Sequence, residues 1–159
     1  MTERLNYAQQ SPAPYKKFLE FAGSLTTVTI DEKIHHLIDV RASQLNGCAF
    51  CVDMHVKLAR MHGENELRLH HLAIWRESNL FSPKERAALA WTEVVTRMPE
   101  GGIPDDLYEY VGSELSEKEI SDLTFALAAI NGWNRLSVAF KSAPGSADIA
   151  FGVDKAGLF

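Results

Sequence analysis

The chain predicts an all-α fold, a multi-helix bundle, and three observations carry that reading. Helix-start signals recur: Ser82-Pro83-Lys84-Glu85 and Ser116-Glu117-Lys118-Glu119 each set a capping hydroxyl three residues before a glutamate that reaches back to it. Apolar residues return at three- and four-residue spacing, and no alternating apolar-polar run of strand length stands out. At 159 residues, 46% of them hydrophobic, the chain has the size of one compact domain with a sizeable core. Residues 1–159 are therefore read as a single domain whose core spans about residues 12–145.

The elements follow in order. Ser11-Pro12-Ala13-Pro14 opens a helix in which Tyr15, Phe18, Leu19, Ala22 and Leu25 share one face, expected to be buried. Asp31 caps a second helix through Ile34, Leu37, Ile38 and Leu45, stopped by the Asn46-Gly47 turn signal. A third helix runs from Cys48 to about His62, with Gly63 supplying the left-handed position that closes it. Cys48, Cys51, His55, Ala59 and His62 fall on one stripe of it. Asn65 caps a helix expected to reach Trp75, and the first capping box opens another through Met98. Pro99 to Pro104 reads as a loop followed by a short helical piece around Leu107 to Val111. The second capping box opens a long apolar helix to Phe140, and Ser142-Ala143-Pro144-Gly145 stops it. The tail beyond has weak periodicity and is read as ordered only by a neighbour. Trp75 and Trp91 sit at apolar helical positions and read as core or interface anchors.

Charge and composition narrow the function classes. The 21 acidic and 16 basic residues leave a net charge of -5 without a clustered Lys/Arg stripe, which argues against nucleic acid as a partner. No basic segment followed by an apolar run opens the chain, and no window has the roughly 18 apolar residues of a membrane span. A cytoplasmic protein without membrane association is the expectation.

Only two cysteines occur, three residues apart, which suits a redox pair or half a metal site better than a secreted disulfide framework. Cys48 and Cys51 begin a helix just after a glycine, where free N–H groups and the positive end of the helix dipole favour an anion such as a thiolate. A free cysteine has a pKa of about 8.5, and this position together with a nearby imidazole lowers it toward reactivity. His55 lies four residues beyond Cys51, on the same helix face, where it can take the thiol proton. Cys51 is thus the candidate nucleophile, and Cys48, one turn earlier, the resolving thiol that closes a disulfide on an oxidised Cys51. Two alternatives stand beside this: an inert buried pair, and a zinc site using both cysteines with His55 or His62, which would need a distant ligand such as His70 or His71. No cofactor-binding motif is read.

The segment Arg41-Ala42-Ser43-Gln44-Leu45-Asn46-Gly47-Cys48-Ala49-Phe50-Cys51-Val52-Asp53-Met54-His55 resembles the core of AhpD-like proteins in the carboxymuconolactone decarboxylase family. Trp75-Arg76-Glu77-Ser78 with Phe81 to Trp91, and Ala128 to Arg135, resemble it too. The resemblance implies an all-α AhpD-like fold in a homo-oligomer, commonly a trimer or hexamer. It implies an alkyl hydroperoxidase or disulfide reductase active in antioxidant defence. The implied substrate is an organic hydroperoxide and the implied partner an external dithiol reductant, a protein or a lipoyl-type group. In family terms Cys51 attacks the peroxide, Cys48 resolves, and His55 relays the proton. The family's glutamate twelve residues before the first cysteine is replaced by His36, which takes the catalytic position by correspondence and can still pass a proton. His36 lacks the fixed negative charge that would orient His55, for which Asp39 or Asp53 is the available substitute, though neither matches the family pattern. Phe50 stands where some relatives have histidine, which makes the pocket more apolar. Trp133, Asn134 and Arg135 fit equally a packed helix or a pocket wall. The other functions held open are the decarboxylase chemistry of the family name, which needs no thiol, and a non-enzymatic redox sensor or scaffold.

Overall fold

A computed structural model describes residues 2–156. Among them the regular structure is helical: α1 (Tyr7–Gln10), α2 (Pro12–Ser24), α3 (Glu32–Leu45), α4 (Ala49–Met61), α5 (Glu66–His71), α6 (Pro83–Arg97), α7 (Asp105–Glu114), α8 (Glu117–Phe140) and α9 (Asp148–Phe151). Short 3-10 turns cover Leu25–Thr27 and Leu72–Glu77. None of these helices is long and apolar enough to cross a membrane.

Helix α3 is the central element because it is apolar on two sides. Ile34, Ile38 and Ala42 pack with Ala88 and Trp91 of α6 and with Leu123, Leu127 and Ile130 of α8. Leu37 and Val40 face the other way, onto Ala59, Leu69, Leu72, Trp75, Phe81 and Leu89. Each such side chain, fully buried, contributes about 1.5–3 kcal/mol, so a helix serving two cores is held firmly. Both capping boxes form as read, Ser82 with Glu85 at α6 and Ser116 with Glu119 at α8.

Trp75 and Trp91 are both buried, and their indole N–H groups donate to Glu93 and Thr124 respectively. Arg41, Trp75 and Arg76, drawn from two of the family-like stretches, converge on the buried carboxylate of Glu93, which holds α3 against α6.

Four expectations are corrected. The face of α2 is only partly buried: Leu25 at its end joins the core, Tyr15, Phe18 and Ala22 are half-buried, and Tyr15, Leu19 and Ala22 line a cavity. The helix from Asn65 stops at His71 and continues as a 3-10 segment in which Ile74 leaves helical dihedrals. There Arg86 donates to the carbonyls of Trp75, Arg76 and Ser78, satisfying the irregular backbone from outside. The short piece after the loop is longer than read, Asp105–Glu114. The tail packs on its own chain: Val153 is fully buried and Asp148 pairs with Lys57 at 2.7 Å.

Candidate redox site

The site is built at the junction of α3 and α4. Gly47 adopts φ +64°, and the amides of Gly47 and Cys48 donate back to Gln44 and Ser43, closing α3 with a Schellman motif. Cys48 then caps α4, its Sγ accepting from the Cys51 amide at 3.2 Å. One cysteine therefore ends one helix and starts the next, which fixes where the pair stands. The Asn46 amide donates to Asn131 and Asn134 of α8 at 2.8 and 2.7 Å, and Asn134 donates to Ser43. Asn134, fully buried, thus braces the turn from behind.

Cys48 and Cys51 are joined as a disulfide across the first turn of α4, and both are buried. They are not equivalent. Cys51, Phe50, Met54 and His55 line a cavity of about 460 Å³, whereas Cys48 is not among its lining residues. Leu19, Leu25, Ile130 and Trp133 add apolar wall, and residues of the N-terminal segment and of α9 complete it. Trp133 is held edge-on by Tyr15 and packs on Phe18 with ring centres 4.3 Å apart. Gly132 makes room for that ring, since a Cβ there would stand 2.5 Å from the tip of Phe18. Arg135 is outside this wall, bonded to Asn131 on its own helix.

His55 Nδ1 lies 3.3 Å from Asp39 Oδ2, an ion-pair distance in an orientation that does not make a hydrogen bond. His35 Nε2 stands 3.7 Å from the same oxygen, so one carboxylate sits between two imidazoles. Burial pushes the His55 pKa below the ordinary histidine value, against the opposing pull of Asp39. The ring is consequently neutral at pH 7 and able to accept a proton.

The residue read in place of the family glutamate lies elsewhere. His36 is one position from His35, about 100° around α3, and its ring meets His62, Nε2 to Nδ1, at 2.7 Å. His36 does not line the cavity, and its ring contact is with His62 at the end of α4. Asp53, the other carboxylate considered, is bound to Lys57 at 2.8 Å and to the Gly145 amide. The zinc alternative lacks its ligands: the two sulfurs are bonded to each other, His62 has turned to His36, His71 approaches Ser78 and His70 is exposed. His35 is the site residue that the sequence reading missed, and Asp39 was read there only as one of two stand-ins for the family glutamate. Their spacing of four on a helix that faces α4 was the available signal.

An all-helical bundle with a Cys-x-x-Cys pair at a helix start, a histidine one turn on and an apolar cavity defines a class of small thiol-bearing proteins. Residues 12–94 match the sequence profile of the carboxymuconolactone decarboxylase family, and the chain belongs to that family. It is 38% identical over 139 residues to the uncharacterized protein YdfG of Bacillus subtilis, covering 87% of this chain and 95% of that one. It is 32% identical over 115 residues to the uncharacterized protein YnjA of Escherichia coli, covering 72% of this chain and 60% of that one. Among solved structures, an Agrobacterium tumefaciens protein of unknown function, put forward as an antioxidant defence protein AhpD, superimposes with TM-score 0.87 at 41% identity. That match covers 90% of this chain and 98% of the other. The debrominase Bmp8 shares the fold, with TM-score 0.77 at 18% identity over 93% of this chain and 79% of its own.

Proposed function

We propose that the chain is a thiol-dependent hydroperoxide reductase, acting on organic hydroperoxides and regenerated by an external dithiol. The observation that carries this is the asymmetry of the pair: Cys51 faces a largely apolar cavity beside His55, while Cys48 stands behind it within disulfide reach. In the reduced protein, neutral His55 takes the Cys51 proton, its Nδ1 beside Asp39 favouring Nε2 as the basic nitrogen. The thiolate attacks the distal peroxide oxygen, the O–O bond breaks, and the alkoxide leaves as an alcohol with the proton that His55 returns. Cys51 is then a sulfenic acid. Cys48 attacks that sulfur, water leaves, and the disulfide forms. A dithiol of the protein or lipoyl type returns two electrons and two protons by exchange. Phe50, Met54 and Leu25 suit an organic tail better than hydrogen peroxide.

The test is oxidation of the reduced protein by one equivalent of cumene hydroperoxide. Wild type should consume it rapidly and form the intramolecular disulfide, Cys48→Ser should stop at a trapped sulfenic acid, and Cys51→Ser should not react. Equal rates for wild type and Cys51→Ser would overturn the reading. A lactone decarboxylase would keep its activity in Cys51→Ser, and a redox sensor would oxidise once without dithiol-driven turnover.

The same reading places the chain in a homo-oligomer, trimer or hexamer. Large apolar side chains at the surface, among them Phe125 of α8 and Ile149 and Phe151 of α9, support it. Sedimentation of the purified protein as a monomer at tens of micromolar would count against it.

A further inference from the structure

A second cluster of metal-binding side chains lies outside the cavity. Glu32 and His36 stand four apart on α3, and His62 caps the end of α4. One ligand atom from each of the three comes within 4.8 Å of the others: the His36 and His62 nitrogens are 2.7 Å apart, and His62 Nδ1 is 3.4 Å from Glu32 Oε1. His62 and Glu32 have side chains 45% and 71% exposed, so an ion reaches the cluster from solvent.

We infer that Glu32, His36 and His62 form a binding site for a divalent transition-metal ion of the zinc class, one per chain, clamping α3 to α4. Imidazole and carboxylate together suit zinc and its neighbours rather than calcium or magnesium. Two nitrogens bound to zinc at about 2.05 Å in tetrahedral geometry stand about 3.3 Å apart. The His62–Glu32 separation already matches, the two rings need to open by about 0.6 Å, and the ligand atoms of His36 and Glu32, within 4.8 Å of each other, close to the same spacing by rotation of the exposed glutamate. In the metal-free pair one ring donates an N–H to the other. Binding needs only a tautomer shift in that ring, which carries its hydrogen to the opposite nitrogen, so no net proton is released. Three protein ligands leave a fourth position for water. The site shares no residue with the cysteine pair, but it joins the two helices that carry Asp39 and Cys48 to His55.

The experiment uses the full, tag-free chain in its disulfide form, so that thiolates do not compete, titrated with Zn²⁺ by calorimetry and with Co²⁺ by visible absorption. One Zn²⁺ per chain is expected, with visible Co²⁺ bands and a thermal midpoint raised by several degrees. His36→Ala and His62→Ala should weaken Zn²⁺ binding at least tenfold, Glu32→Gln less, and His70→Ala not at all. Circular dichroism of each variant checks its fold. Wild type that takes up no Zn²⁺ at 100 micromolar (roughly the weakest affinity a three-ligand site should have) would overturn the inference. So would folded His62→Ala that binds as wild type does.

Discussion

At the residue scale, the contact that matters most is Asp39 against His55. Asp39 is the buried carboxylate next to a buried imidazole, and it raises the proton affinity that burial lowers. Asp39→Asn should slow Cys51 oxidation by cumene hydroperoxide roughly ten- to a hundredfold, a fraction of what a general base supplies. The check is stopped-flow oxidation with the disulfide still forming, because the asparagine keeps the shape of the site. Placing a glutamate at the family position makes the opposite case. Its side chain would face His62 rather than His55, so His36→Glu should leave the oxidation rate within about twofold of wild type. A large acceleration in that variant would mean that the relay runs through α3 by another route.

At the element scale, two devices hold the cavity walls. Lys57 is almost fully buried between Asp53 and Asp148, and although burial works against its charge, the two carboxylates outweigh that and raise its pKa. Replacing it strands two acids, so Lys57→Met should cost about 3 kcal/mol in urea unfolding and expose the chain near Gly145 to limited proteolysis. Unchanged protease resistance would show that α9 is held by Val153 instead. The second device is Gly132. Gly132→Ala drives a methyl into Phe18 and should destabilise the docking of α2 on α8 by about 1–3 kcal/mol, with a matching change in Trp133 fluorescence.

At the scale of the whole molecule, acid sensitivity follows from carboxylates held below their ordinary values, Glu85 and Glu93 among them, and most strongly from two others. Lys84 and the Ser116 cap hold Glu119 at a pKa of about 2, and Thr29 with Lys118 does the same for Asp122. Both folded-state values lie below the ordinary 4.5 and 3.8, so the unfolded chain binds more protons in that range. Their contribution is complete above the ordinary values and disappears as the pH falls through them toward 2. The thermal midpoint should therefore drop between pH 5 and pH 3. Glu119→Gln, which cannot titrate, should show a shallower drop, and an identical slope would place the acid sensitivity elsewhere.

The helical class, both long capped helices, the closure at Gly47 and the placing of the Cys48–Cys51 pair at a helix start were legible from residues 31 to 140, because caps, periodicity and i,i+4 spacing are local properties of the chain. The same local spacing placed His55 one turn beyond Cys51, and the family resemblance agreed with the roles proposed for these residues. It placed the relay at His36, and position by correspondence does not say which neighbour a residue of a twice-buried helix meets. Only the packing of α3 decided that: with Ile34, Ile38 and Leu37 turned to the two cores, Asp39, with His35 beside it, meets His55 within α4, and His36 meets His62 at the end of α4. The cavity, the half-buried face of α2 and the anchoring of α9 by Lys57 were likewise set by contacts between residues far apart in the chain, such as Tyr15 with Trp133 and Lys57 with Asp148, which no local pattern encodes.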